Sequence, residues 1–448
     1  MKIKRKAYEK LLAWKKESNG KTALLIEGAR RVGKSFLVKE FAQQEYRSFI
    51  YIDFSRRDPV LREIFEQFSA DLDQFFSRLS LFFSTRLYPR ESCIVFDEVQ
   101  LYPPARELIK HLVADGRYDY IETGSLISIK RNVRDIVIPS EEEKLELQPI
   151  DFEEFLCAAG EEMTASFIRE LYESRRPAGD AMNRRLMGLL RLYMVVGGMP
   201  AAASCYAESL DLLKVRRLQA ATLSLYRDDI AKYAEGYEIK VRSIFDSIPD
   251  QLSRHERRFK LSALEPGARM RNYEEAFFWL ADSKIANLCF NSADPRTGLR
   301  LNLDRTLLKC YMADTGLLVC MATSDDDRIG QDVLNALLYG KLGINEGMFF
   351  ENLVAQMLRS SGHGLFFHSR PAVPEKGERP MEIDFLLRSG KKISPVEVKS
   401  AGYRSHASLD RFISKYSDRL GPRYIIGTMD LKREGELLYL PAYMAHLI

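Results

Sequence analysis

The chain has 448 residues, 46% of them hydrophobic and 29% charged, which describes a folded globular protein too long for a single hydrophobic core. Its 67 Lys and Arg against 63 Asp and Glu leave a net charge of +4, which excludes a chain-wide basic field and confines any basic surface to a local patch. Six scattered cysteines with no C-x-x-C pair point to buried thiols in a reducing compartment. No apolar run approaches the ~18 residues of a membrane span, and the basic stretch 1–20 lacks the apolar core of a signal peptide, so a cytoplasmic protein away from membranes is expected.

Ala23-Leu24-Leu25-Ile26 reads as a buried strand and 36–42 as a helix. Between them Gly28-Ala29-Arg30-Arg31-Val32-Gly33-Lys34-Ser35, followed by Phe36, spells G-x-x-x-x-G-K-S. Glycines let backbone N–H groups curl around phosphate oxygens at a helix N-terminus, Lys34 reaches the β- and γ-phosphates, and the Ser35 hydroxyl is placed to ligate Mg²⁺. Binding of ATP with Mg²⁺ is therefore expected through residues 28–36.

Next come a strand at 49–54, one long helical stretch at 60–87, and the apolar strand Cys93-Ile94-Val95-Phe96 ending in Asp97-Glu98. A carboxylate ending such a strand holds Mg²⁺ together with the loop serine, the role expected of Asp97. A following glutamate can act as general base toward the attacking water, the role expected of Glu98. After a helix at 104–114, the strand 118–123 ends in Thr123-Gly124-Ser125, where Thr123 or Ser125 would supply a polar sensor near the γ-phosphate. Lys130, Arg131 and Arg134 follow, but surface charge is the better reading of each, and no arginine finger can be assigned. Strands alternating with helices predict a parallel sheet covered on both faces.

Residues 149–235 carry helical periodicity broken at 175–179 and 197–200. Residues 236–320 read as a helix-rich unit closing on a hairpin, with a turn at 291–298 between the apolar runs 285–290 and 299–303. The segment 253–272 holds Arg254, Arg257, Arg258, Lys260, Arg269 and Arg271, and resembles a winged-helix unit offering a basic face to phosphate. An acidic stretch at 324–328 reads as a linker, after which mixed α/β patterning returns.

Two strand-like runs, 382–387 and 393–399, flank a turn and predict a hairpin. Alternation puts Glu397 and Lys399 on one face, and Asp384 can meet Glu397 across the pair. Two carboxylates and a lysine, with a third acid at Glu351 on a helix at 347–358, form the D…E-x-K arrangement of restriction-endonuclease-like nucleases. In that arrangement Glu351, Asp384 and Glu397 would hold Mg²⁺ and Lys399 would serve in catalysis. Glu142-Glu143-Lys144 has the same spelling but lies in a run of charges without strand pattern, and is set aside.

In order along the chain, GARRVGKS (28–35), FDEVQ (96–100), TGSLIS (123–128), IPSEEEKLELQPIDFEEFL (138–156), VVGGMP (195–200), YMADTGLL (311–318), EIDFLL (382–387) and EVKS (397–400) resemble a bacterial and archaeal family of AAA-type ATPases with a C-terminal restriction-endonuclease-like domain. The resemblance implies an α/β multidomain protein: an ASCE-type P-loop core (1–148), a helical lid (149–235), a winged-helix-like module (236–323), a linker (324–340) and a PD-(D/E)xK nuclease-like domain (341–448). The leading expectation is ATP hydrolysis coupled to a DNA-directed module, with Lys34, Ser35, Asp97 and Glu98 serving the nucleotide. The alternatives are a nucleotide switch whose C-terminal fold binds DNA or a protein partner without cutting, and an AAA-type protein remodeller. Oligomeric state is beyond the sequence.

Overall fold

The computed structural model describes residues 3–124, 140–254, 258–295, 298–323, 327–341, 346–372, 379–400 and 406–448. The chain divides into two compact units, Lys4–Gln148 and Pro149–Ile448.

In the first unit β1 (Ala23–Glu27), β2 (Ser48–Asp53), β3 (Ser92–Asp97), β4 (Asp119–Gly124) and β5 (Glu142–Glu146) form one parallel sheet in the order β2-β3-β4-β1-β5. Every residue of β1, β3 and β4 is buried, as expected of the inner strands of a sheet covered on both faces, and β4 carries the polar residues Asp119, Glu122 and Thr123 into that interior. β4 enters the sheet between β1 and β3, so the ends of three adjacent strands meet at one edge. Phe54, Phe65, Phe75, Phe96 and Tyr102 anchor the core beside the sheet, with edge-on and stacked ring pairs.

Two local expectations need correction. The single helix expected over 60–87 is two, Pro59–Phe68 and Leu72–Phe82. Each starts on an aspartate: Asp58 accepts from the amides of Val60 and Leu61, and Asp71 from those of Asp73 and Gln74. The run 142–146, expected to lack strand structure, is the edge strand β5 paired with β1. Its charges are accommodated because an edge strand keeps one side toward solvent, while Glu142 turns inward onto the buried Arg106 at 2.7 Å.

The second unit opens with the helices Phe152–Ala158, Glu162–Ser174, Asp180–Val196, Pro200–Ser209 and Leu212–Tyr233, followed by Glu238–Ser253 and Glu274–Asp282. The expected hairpin is present as β6 (Ala286–Ser292) and β7 (Leu303–Met312), although 299–302 form a 3-10 turn rather than strand. It is not the end of a separate sheet. β8 (Phe366–Arg370) and β9 (Met381–Ile383) complete it in the order β7-β6-β8-β9, so 236–323 and 341–448 share a sheet. The stretch expected as a linker contains the helix Asp327–Leu338. A second sheet joins β10 (Phe385–Ser389), β11 (Lys392–Lys399), β12 (Arg423–Gly427), β13 (Lys432–Glu434) and β14 (Leu437–Pro441) in the order β10-β11-β12-β14-β13. The helix Glu346–Ser360, buried from Glu346 to Leu358, packs against β7 and β11 and so touches both sheets.

The glycines at 197–198 serve a close approach. Asp314 caps the helix Thr315–Ala322 by accepting from the Leu317 amide at 2.9 Å and also accepts from the Gly198 amide. A Cβ at Gly197, whose φ is +76°, would lie 2.4 Å from Asp314 Oδ1. Cys93, Cys289, Cys310 and Cys320 are buried thiols, and among the described residues no helix is long and apolar enough to cross a membrane.

Candidate functional site

The phosphate-binding loop connects β1 to the helix Lys34–Glu45. Gly33, at φ +98°, occupies the cap position in the left-handed region that favours glycine. Gly28 is needed for a different reason, since a Cβ there would lie 2.5 Å from the Leu147 carbonyl oxygen. Lys34 is buried, and its ammonium donates to the carbonyls of Gly28 and Ala29 at 2.9 and 3.1 Å. The loop is braced from outside by Arg5, which donates to the carbonyls of Val32 at 3.1 Å and Gln148 at 2.6 Å. Phe36, the second residue after Lys34, is 58% exposed.

Asp97 gathers hydroxyls from the helix Lys34–Glu45, from β2 and from β4. Ser35 Oγ donates to Asp97 Oδ1 at 2.9 Å, the Thr123 hydroxyl donates to the same oxygen, and the Tyr51 hydroxyl donates to Oδ2. Thr123, expected as a sensor facing the γ-phosphate, is thus engaged with Asp97 here. Glu98 follows in the left-handed region at φ +54°, uncommon for a residue with a side chain, and its carboxylate accepts from Gln100 Nε2. Ser125, Lys130, Arg131 and Arg134 lie outside the described residues.

In the second unit β7, the β9–β10 junction, β11 and the helix Glu346–Ser360 converge on an acidic cluster. Asp384 sits at the junction, and its Oδ2 accepts from the Val398 amide at 2.9 Å, holding it beside β11. Glu397 is paired with Lys399 at 2.7 Å, and its Oε2 is buried without a hydrogen-bond partner. Burial foremost, and then the nearby Asp384 charge, push the Glu397 carboxyl above the usual carboxylate range, against the pull of Lys399. Glu351 is fully buried and accepts from the Tyr311 hydroxyl at 2.5 Å. Amid these acids lies Lys309 of β7, 1% exposed, whose Nζ is 3.1 Å from Glu351 Oε1, 3.2 Å from Glu382 Oε1 and 3.4 Å from Asp384 Oδ1. Among the described residues, no group of three or more His, Cys, Asp and Glu has the arrangement to hold a metal ion.

Residues 20–156 match the family model described as an AAA domain. The N-terminal unit is an AAA domain of the P-loop ATPase type. Residues 187–328 and 346–443 match two further models, both described as domains of unknown function, DUF8612 and DUF4143. No curated protein matches the chain. Among solved structures, the Walker-type ATPase PABY2304 of Pyrococcus abyssi is similar at 15% identity and a TM-score of 0.40, over 71% of this chain and 96% of that one. The ORC1 protein of Aeropyrum pernix, solved in complex with DNA, is similar at 14% identity and a TM-score of 0.29, over 75% and 92%. Protein VC1899 from Vibrio cholerae is similar at 12% identity and a TM-score of 0.18, over 95% of each chain.

Within the AAA domain, Ser35, Asp97 and Thr123 are brought into direct contact, with Lys34 on the same loop. Sequence reasoning missed Tyr51, Gln100 and Arg5, which hold Asp97, Glu98 and the loop backbone in place. In the second unit Asp384, Glu397 and Lys399 are adjacent as expected from the hairpin register, in which Phe385 pairs with Val396. Lys309, Tyr311 and Glu382 were missed. A signal for Lys309 existed: it is the one charge in the apolar run Leu307-Leu308-Lys309-Cys310-Tyr311-Met312.

Proposed function

We propose that the chain is a Mg²⁺-dependent ATPase whose nucleotide cycle governs a DNA-directed second unit with a restriction-endonuclease-like fold. The observation that carries the ATPase reading is the 2.9 Å contact between Ser35 Oγ and Asp97 Oδ1, a hydroxyl and a carboxylate converging where the loop opens. Those two oxygen donors suit a hard divalent cation, and the absence of a Cβ at Gly28 keeps the loop backbone in its phosphate-cradling path. When bound, Mg²⁺ neutralises charge on the transferring phosphoryl group. Loop amides hold the phosphates, and Lys34 exchanges its bonds to the Gly28 and Ala29 carbonyls for phosphate oxygens. Glu98, held by Gln100, takes the proton of the attacking water.

Substitution separates binding from chemistry. Lys34→Ala is expected to abolish ATP binding, and Glu98→Gln to retain binding while losing roughly 10²-fold or more of turnover. Binding is read by isothermal titration and turnover by phosphate release. Normal turnover in Glu98→Gln removes it as the base.

DNA direction is supported by the exposed Arg269 and Arg271 in the basic segment and by the Asp384, Glu397 and Lys399 set. A second reading, the nucleotide switch whose second unit binds without cutting, is favoured by one observation: the ammonium of Lys309 between Glu351, Glu382 and Asp384.

A further inference from the structure

The acidic site of the second unit contains a cation of its own. An ammonium has three N–H donors; Lys309 Nζ stands 3.1, 3.2 and 3.4 Å from the carboxylates of Glu351, Glu382 and Asp384, hydrogen-bonded to Glu351 and Asp384 and ion-paired with Glu382. Lys309 is 1% exposed and Glu351 0%, while Asp384 at 18% and Glu382 at 33% keep a side toward solvent, so the ammonium itself is buried. A buried charge is stable only when paired and hydrogen-bonded, and Lys309 meets both conditions. The remaining acid of the motif, Glu397, has its own ammonium in Lys399 at 2.7 Å.

These positions do not fit a divalent metal. Mg²⁺ requires oxygens at about 2.0–2.1 Å in octahedral array, and the oxygens of Glu351 and Asp384 that would furnish them converge instead on Nζ. Entry of the metal would break three charge-assisted contacts and set a double positive charge against a buried, newly unpaired ammonium. The lysine arrives from β7, in the segment matched by the middle family model and outside the 346–443 match that covers the acidic motif. The β7–β6–β8–β9 sheet brings it there.

We propose that Lys309 is the resident cation of this site, doing for Glu351, Glu382 and Asp384 what a metal does in a metal-dependent nuclease, and thereby closing the site to Mg²⁺ and Mn²⁺. The inference rests on reading the second unit as restriction-endonuclease-like. Charge balance is supplied by the fold, so the acids stay ionised and in place without an exogenous ion, and metal-assisted cleavage is excluded while Lys309 holds its position.

The test is Mn²⁺ uptake by the nucleotide-free full chain, followed by electron paramagnetic resonance, in wild type, Asp384→Asn, Lys309→Met and the double variant. Wild type and Asp384→Asn are expected to take up Mn²⁺ identically. Lys309→Met is expected to gain a site at least about 100-fold tighter than any in wild type, because the like charge at contact distance is gone, and the double variant to lose it. Uptake by wild type that Asp384→Asn removes overturns the proposal, as does a folded Lys309→Met protein with no gain. Should Lys309→Met fail to fold, the comparison of wild type with Asp384→Asn decides alone. Plasmid cleavage by Mn²⁺-loaded Lys309→Met separates the two readings: a metal site gained without cleavage counts against the nuclease-like reading and leaves the assignment of Lys309 intact.

Discussion

Asp97 shows how a single carboxylate is placed by residues far apart in sequence. Ser35 reaches it from the helix after β1, Tyr51 from β2 and Thr123 from β4. Ser35 and Asp97 were legible because each ends a recognisable local pattern, the glycine-rich loop and an apolar strand, and the structure brings them to 2.9 Å. Tyr51 was not, because its place depends on β2 pairing in register with β3, Tyr51 opposite Val95 and Asp53 opposite Asp97, which no local pattern encodes. Groups that orient a metal-binding carboxylate typically contribute 10- to 100-fold to metal affinity or activity. Tyr51→Phe is therefore expected to lower ATP turnover by roughly 10-fold at limiting Mg²⁺ and to recover partly as Mg²⁺ is raised. A Mg²⁺ titration of turnover checks this, and a profile that overlays wild type removes the positioning role of the hydroxyl.

Legibility of the elements followed burial. β1 and β3 are buried along their whole length and were readable as apolar runs; β5 is an edge strand of charged residues and was not. The break between the helices Pro59–Phe68 and Leu72–Phe82 was missed because Phe and Leu spacing continues across it, while the stop depends on Asp71 turning its carboxylate onto the next backbone amides. The VVGGMP and YMADTGLL motifs, quoted for family resemblance alone, have a physical meaning: Asp314 ties the chain at Gly198 to the start of the helix Thr315–Ala322. Burial lifts the Asp314 carboxyl from 3.8 to about 6, against the lowering effect of the amides of Gly198, Leu317 and Gly316. Because the folded value exceeds the unfolded one, the native state binds the extra proton between these values. Asp314 thus contributes most below about pH 4, and that contribution is lost as pH rises through 6, by about 3 kcal/mol in all. Denaturant unfolding at pH 5 and 7.5 is expected to show the wild type losing stability relative to Asp314→Asn as pH rises. The opposite slope contradicts a carboxyl raised by burial.

At the scale of the molecule, an AAA domain is joined to a second unit in which helices, a mixed sheet and an acidic cluster are built from residues 149 onward. The presence of two separate units was legible because each carries its own strand-borne motif, 28–35 in the first and 382–399 in the second. The sharing of one sheet between the expected middle module and the C-terminal strands was not, because parallel pairing of β6 with β8 joins segments separated by β7 and the helices Thr315–Ala322, Asp327–Leu338 and Glu346–Ser360. That pairing is what carries Lys309 to acids more than forty residues away in sequence.

The central claim is that ATP is turned over at the Lys34–Ser35–Asp97–Glu98 site and that this turnover answers to DNA. It is tested most directly by phosphate release from the full chain with Mg²⁺ and ATP, with and without linear duplex DNA, beside Lys34→Ala. Turnover in wild type that is absent in Lys34→Ala, and that rises with DNA and falls back as salt is increased, is the expected result. Phosphate release no greater than that of Lys34→Ala, with DNA present or absent, would contradict it.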